Sequence, residues 1–180
     1  MEVYRVHERL AIRVGDLTAE RVDALVNAAN ASLLGGGGVD GAIHRAAGPA
    51  LLAACRELRR TRWPEGLPTG EAAITPGFDL PAKHVIHVVG PIYGEHGGRE
   101  AVLLAACYRN AIALAAREGL ATLAFPAIST GVYAYPKPQA ARVAAQAVEA
   151  ALEAHQAIRE VRLVYFSRED AQHAIAALSR

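Results

Sequence analysis

Residues 23–49 read DALVNAANASLLGGGGVDGAIHRAAGP. Ala24-Leu25-Val26 has the pattern of a brief buried strand, opening into Asn27-Ala28-Ala29-Asn30. Gly35-Gly36-Gly37-Gly38 come next. A helical pattern then runs from Val39 to Ala47 and stops at Gly48-Pro49, a glycine near the C-cap with proline behind it. Four consecutive glycines suggest slack chain. A flexible linker, however, is longer and richer in serine, and it does not abut a helix start. Glycine also reaches positive φ and lets another molecule come close to the backbone. Successive free N–H groups make a concave anion site, and the helix beginning near Val39 adds its positive end at the same place. The stretch reads as a cradle for a phosphate or diphosphate at a strand-to-helix junction, and such a junction belongs to an α/β fold.

Outward from that junction the same alternation continues. Val3 to Val14 is rich in β-formers and reads as two short strands or one bent ribbon, ending at Gly15-Asp16. Leu17 to Arg21 is a turn or short helix. A second helix is expected from Ala50 to about Arg60. Strands are expected at Glu71–Thr75 and His84–Val89, with the turn residues Pro76-Gly77 between them. Arg99 to Glu118 reads as a long, largely buried helix. Thr122 to Pro126 is a strand whose closing proline sits where a ladder donor is dispensable. The next helix begins at Pro136 or Pro138 and runs to about His155. Val161–Phe166 and Arg168–Leu178 are the last strand and helix. The succession predicts a mixed, largely parallel sheet with helices on both faces. With no internal repeat and no linker, the expectation is one domain over residues 1–180.

The bulk numbers agree with a globular chain. Its 180 residues suit one domain with a sizeable core, and 52% are hydrophobic against 21% charged. A formal net charge of +1 argues against a nucleic-acid backbone or an anionic membrane as partner. Arg56, Arg59, Arg60 and Arg62 read as a solvated helix C-terminus favoured by the dipole. Cys55 and Cys107 sit in apolar helical patterns, as buried thiols do in a reducing cytosol, and neither has metal-ligand spacing. The first residues lack a signal-peptide core, and no run approaches ~18 apolar residues, so a cytoplasmic protein is expected. The sequence calls for no cofactor and no metal.

Ligands of open α/β sheets bind beyond the carboxyl ends of the strands. Besides the glycine run, two segments stand there. Ala127-Ile128-Ser129-Thr130-Gly131-Val132-Tyr133 offers hydroxyls, a glycine and an aromatic, which suit phosphate and ribose, although many strand-to-helix loops look like this. Gly15-Asp16-Leu17-Thr18 places a carboxylate at a strand exit. It caps a turn in the ordinary reading, or it accepts hydrogen bonds from an exocyclic amine. Neither a P-loop nor a GxGxxG fingerprint with its distant acid is present.

Taken together, these blocks resemble a macrodomain of the MacroD type. The likeness rests on GDLT (15–18), the whole 23–49 stretch, TGEAAIT (69–75), LPAKHVIHVVGP (80–91) and FPAISTGVYAYP (125–136), in that order along nearly the whole chain. It implies a three-layer α/β/α sandwich with a mixed, largely parallel central sheet, which binds ADP-ribose or O-acetyl-ADP-ribose. By this resemblance Asp16, flanked by Gly15 and Leu17, holds the adenine amine, and Phe166 stacks on the ring. Gly35, Gly36, Gly37, Gly38 and Val39, with Ile128, Ser129, Thr130, Gly131, Val132, Tyr133 and Ala134, wrap the diphosphate and distal ribose. Ala28, Ala29 and Asn30 line the distal ribose pocket, and Tyr133 covers it. Asn30 and Asp40 stand where the family carries its two catalytic side chains. Tyr135 departs from a usual glycine, and the longer 58–67 segment is expected to alter access.

MacroD-type proteins hydrolyse esters at the distal ribose, with O-acetyl-ADP-ribose and ADP-ribosylated Asp or Glu on proteins as substrates. An acid at a helix N-terminus among N–H donors has a stabilised carboxylate. Asp40 is therefore better cast as orienting a water than as stripping its proton, and the bound diphosphate is an alternative holder of that water. Asn30 is expected to fix ribose hydroxyls through its amide. The alternative reading is a non-catalytic reader of ADP-ribose. His44, one turn after Asp40, reads as a helix residue meeting sheet or solvent, with a place near the site as the alternative. His87 reads as a hydrogen-bonded core histidine. Ser129 has no identifiable base partner, so a serine nucleophile is not expected.

Overall fold

The computed structural model describes residues 2–179. Among them, seven strands form one sheet in the order β1-β2-β7-β6-β3-β5-β4. The hairpin β1 (Glu2–His7) and β2 (Leu10–Val14) is antiparallel, as is the pair β4 (Ala72–Pro76) and β5 (His84–Val89) at the other edge. Between these edges β2, β7 (Glu160–Tyr165), β6 (Thr122–Phe125), β3 (Ala24–Ala29) and β5 run parallel. Parallel strands need crossovers, and the helices that supply them cover both faces.

The two faces have separate cores. On one, α3 (Glu100–Arg117), α4 (Lys137–Ala154) and α5 (Arg168–Leu178) bury Leu104, Ile112, Val148 and Ala171 against Ile12, Val26, Phe125 and Leu163. On the other, α1 (Gly38–Ala47) and α2 (Pro49–Thr61) bury Ile43, Leu51 and Cys55 against Leu25, Val85 and Val164. The three-layer α/β/α sandwich expected from the sequence is the observed architecture. Among the described residues no helix is long and apolar enough to cross a membrane.

Most elements lie within a residue or two of their expected bounds, and α5 matches at both ends. The informative difference is β3. It does not open at Asn27 but continues to Ala29, so Asn27 lies inside a buried strand. A polar residue survives there because its amide finds partners, as the site geometry makes clear. A strand is also usually longer than the three apolar residues that mark this one.

The topology places the site. β2, β7, β6, β3 and β5 all end at the same edge of the sheet. From there the chain leaving β3 crosses to the α1/α2 face, while the chain leaving the adjacent β6 crosses to the α4 face. Loops diverging from neighbouring strands open a crevice between them, the position at which open α/β sheets bind ligands.

Candidate active site

A cleft of about 530 Å³ opens at that crevice, within the usual range for small-molecule sites. The three strand-end loops meet in it. Of the residues expected from the sequence, Gly15, Asp16, Leu17, Ala28, Ala29, Asn30, Gly36, Gly37, Gly38, Val39, Asp40, Ile128 to Tyr133 and Phe166 all line it. Gly35 and Ala134 do not. Each takes a positive φ, 86° and 59°, and shapes its loop from behind. Thr18 and Ala127, from two of the expected loops, also line the cleft, whereas Ala42, Gly90, Pro126, Val164, Tyr165 and Asp170 line it and were missed. Most are small or apolar and carry no chemical signal of their own.

The glycine run is a built turn. Gly37 is the N-cap of α1, and the first intrahelical bond runs from the Gly41 N–H to the Gly37 carbonyl. The amides of Gly38, Val39 and Asp40 precede that bond, so they have no intrahelical acceptor. They belong to cleft residues and carry the positive end of the helix, a ready anion site. Gly41 is needed for packing: a Cβ there would lie 2.6 Å from the Gly36 carbonyl oxygen. Leu33 (φ 58°) and Ser129 (φ 67°) hold left-handed backbone in the two main loops. Such conformations persist for non-glycine residues only where the surroundings over-determine them.

Asn30 organises the first loop. Its Oδ1 accepts from the Ser32 amide (3.1 Å) and hydroxyl (2.5 Å), and its Nδ2 donates to the Gly35 carbonyl (2.9 Å). Both acceptor positions and one of two donors are thereby used, leaving a single N–H for a ligand. The loop is also held from outside. The Arg59 guanidinium donates to the carbonyls of Ser32 (2.8 Å), Trp63 (2.9 Å) and Pro64 (3.1 Å), and the Leu67 amide donates to the Ala31 carbonyl (2.9 Å). Two expectations change here. Arg59 is not a solvated helix-end charge but a clasp, and residues 58–67 brace the loop from behind. Three backbone carbonyls matched one planar donor fork.

Asp40 is 6% exposed. Its Oδ1 accepts from Asn27 Nδ2 at 2.9 Å and lies 3.4 Å from His44 Nε2. His44 thus stands at the site, against the reading that sent it to sheet or solvent. One helical turn separates it from Asp40, which puts both side chains on the same face. A Cβ built on Gly36 would lie 3.2 Å from Asp40 Oδ2 and 3.3 Å from Asn30 Nδ2. These two groups therefore converge at a spot that only glycine leaves open. An acceptor and a donor facing one small space can hold a water and a hydroxyl together.

Below Asp40 the polar contacts continue into the core. His87, fully buried, has Nδ1 3.2 Å from Asn27 Nδ2 and Nε2 3.0 Å from Thr75 Oγ1. The core-histidine reading holds. Burial first, and the nearby His44 second, push His87 down to about 3, so it is neutral. Burial, with Asp40 nearby, pushes the neighbouring Cys55 thiol up to about 12.

The other end of the cleft is open. Asp16 Oδ1 accepts from the Thr18 amide (2.9 Å) and hydroxyl (2.7 Å), which caps the short 3-10 helix Leu17–Ala19. The cap reading is correct, and it spends only one carboxylate oxygen. Phe166 is 86% exposed at the rim, as is Val132 at 97%. Among the described residues Ser129 Oγ is buried without a hydrogen-bond partner, and so without a base beside it. Tyr135 tucks under the loop edge-on to Tyr93, with ring centroids 5.0 Å apart. The Tyr93 amide donates to the Tyr133 carbonyl at 2.9 Å.

The Macro domain family model matches residues 26–144. A macro domain-containing protein of Streptomyces nogalater is 55% identical over 152 residues, covering 84% of this chain and 82% of its own. The O-acetyl-ADP-ribose deacetylase of Klebsiella pneumoniae is 53% identical over 160 residues, covering 88% of this chain and 89% of that one. A mutant of the Oceanobacillus iheyensis macrodomain, solved with ADPR, superposes with a TM-score of 0.94 at 46% identity, covering 99% of this chain and 96% of that chain.

Proposed function

Because this chain belongs to the Macro domain family, we propose that it binds ADP-ribose and hydrolyses ester-linked derivatives of it. The substrates in this reading are O-acetyl-ADP-ribose and mono-ADP-ribosyl Asp or Glu on proteins. One observation carries the catalytic half: Asp40 Oδ2 and Asn30 Nδ2 converge on Gly36 at the N-terminus of α1. The names of the similar proteins support the choice of ligand.

The ligand's diphosphate sits over the free amides at the start of α1 and against the loop 128–133. Phe166 stacks on adenine, and the unspent oxygen of Asp16 accepts from its exocyclic amine. The distal ribose lies over Ala28, Ala29 and Asn30 under Tyr133, and the remaining N–H of Asn30 donates to a ribose hydroxyl. Asp40 Oδ2 accepts a hydrogen bond from a water and points its lone pair at the ester. Water adds across the ester bond, releasing the free acid and ADP-ribose. Orientation by Asp40 and positioning through the clamped diphosphate supply the acceleration.

Incubation with O-acetyl-ADP-ribose and with Glu-ADP-ribosylated protein tests this, comparing the wild type with Asp40→Ala. Release of ADP-ribose by the wild type and its loss in the variant are expected. No release from either ester by the wild type would make the protein a reader.

A further inference from the structure

The hydrogen bonds of the site do not end at Asp40. We propose that His87 is a positioning residue, which acts through Asn27 to hold the Asp40 carboxylate in place; this rests on the hydrolytic reading above.

The chain of contacts has one consistent direction. Asn27 Nδ2 lies 2.9 Å from Asp40 Oδ1 and 3.2 Å from His87 Nδ1. A carboxylate can only accept, so Nδ2 donates to it. The second hydrogen of the same Nδ2 then faces His87 Nδ1, which must accept. The neutral ring therefore carries its proton on Nε2 and donates it to Thr75 Oγ1 at 3.0 Å. Burial keeps the ring neutral, as its depressed pKa of about 3 shows. Turned over, the Asn27 amide would aim its carbonyl oxygen at the Asp40 carboxylate 2.9 Å away. Two acceptors facing each other at that distance forbid the flip.

A second observation marks the orientation as constrained. Asn27 Oδ1 is buried with no hydrogen-bond partner among the described residues. Such an orphan costs free energy, so the amide is held for what its nitrogen does. The strand register explains how the three groups meet. Asn27 on β3 and His87 on β5 are direct partners across the parallel pair. Thr75 on β4 stands on the same face, two residues from Ala73, the direct partner of His87 across the antiparallel pair. The relay thus runs across the sheet beneath α1 and meets Asp40 in the first turn of that helix. Without an acceptor at His87 Nδ1, the Asn27 amide is free to turn, and Asp40 Oδ1 keeps only the longer contact to His44 at 3.4 Å. Oδ2 then leaves its place beside Asn30.

Three variants separate this role from mere packing. His87→Phe removes both ring nitrogens. His87→Gln keeps a polar group toward Thr75, while His87→Asn returns an acceptor near the position of Nδ1. ADP-ribose affinity by calorimetry should stay within about threefold of wild type in all of them, because the relay touches no ligand-facing group but Asp40. With O-acetyl-ADP-ribose, His87→Phe and His87→Gln should lower kcat by ~10–100-fold at little-changed KM, the scale of a misplaced reacting group. His87→Asn should recover most of the loss. In the wild type, long-range 15N–1H NMR should show the Nε2–H tautomer of His87. Wild-type kcat in folded His87→Phe, a loss that His87→Asn fails to rescue, or an Nδ1–H tautomer would each overturn the proposal. Absence of ester turnover in the wild type would remove the hydrolytic reading alone. The tautomer, read with the Asn27 side-chain amide shift in wild type and His87→Asn, then still decides the relay.

Discussion

The two ends of the cleft are built by opposite rules. At the Asp40 end the polar side chains are buried or half-buried and tied: Asp40 to Asn27 and His44, Asn27 to His87, His87 to Thr75, and Asn30 to Ser32 and Gly35. At the Asp16 end a carboxylate keeps one oxygen unspent, and an aromatic ring stands 86% exposed. Chemistry needs groups held in position before the substrate arrives, because a small misplacement costs turnover. Binding a flat base tolerates an exposed ring that gains its partner on contact. The tied end should therefore govern kcat and the open end affinity.

The largest effect that sharpens this contrast is at Asp40. Asp40→Ala should lower ester turnover by ~10²–10⁴-fold while ADP-ribose affinity survives; equal losses in both would erase the difference between the ends. The tied end should also reveal itself in stability. His87 takes up its proton near pH 6.5 when exposed and only near 3 when folded. Between those values the unfolded chain binds a proton that the folded chain refuses, so stability rises with pH across the window and falls as pH drops through it. Urea melts from pH 7 to pH 4 should show a loss of about 3 kcal/mol from this group, and His87→Phe should flatten it. At the open end, Phe166→Ala should weaken ADP-ribose by ~1–3 kcal/mol in calorimetry with little change in melting temperature. The smallest effect concerns the brace. Arg59→Ala should cost about 1–2 kcal/mol of stability through its lost charged hydrogen bonds, and it should reduce kcat more than affinity by loosening the Asn30 loop.

The sequence disclosed the open end and the backbone of the tied end, and it missed what does the tying. Gly35 to Gly38 before an amphipathic helix announced an anion cradle because glycine and a helix start are local signals. Asp16 at a strand exit announced a cap or a ligand contact for the same reason, and the cap is what the structure has. Asn27 reads as a loop residue because an amide interrupts an apolar run, and nothing local says that Asp40 and His87 will satisfy it. Arg59 sat in a cluster of four arginines, and only the folding of residues 31–34 under α2 selects the one that clasps Ser32. His44 reads as a helix residue without an evident partner, although its spacing from Asp40 is the available clue. Long-range hydrogen bonds join residues that no spacing rule connects, which is why the element order and strand-end loops were legible and the relay beneath α1 was not.

In the proposed hydrolysis one end of the cleft reacts and the other binds. Asp40→Asn preserves the shape of the carboxylate and an oxygen for Asn27 and His44, so it isolates the charge. The decisive measurement pairs kcat for O-acetyl-ADP-ribose with Kd for ADP-ribose in wild type, Asp40→Asn and Phe166→Ala. The expected result is a crossed pattern, with turnover lost and affinity kept in Asp40→Asn, and affinity lost and saturated turnover kept in Phe166→Ala. Wild-type turnover in Asp40→Asn, or parallel losses of kcat and affinity in both variants, would contradict it.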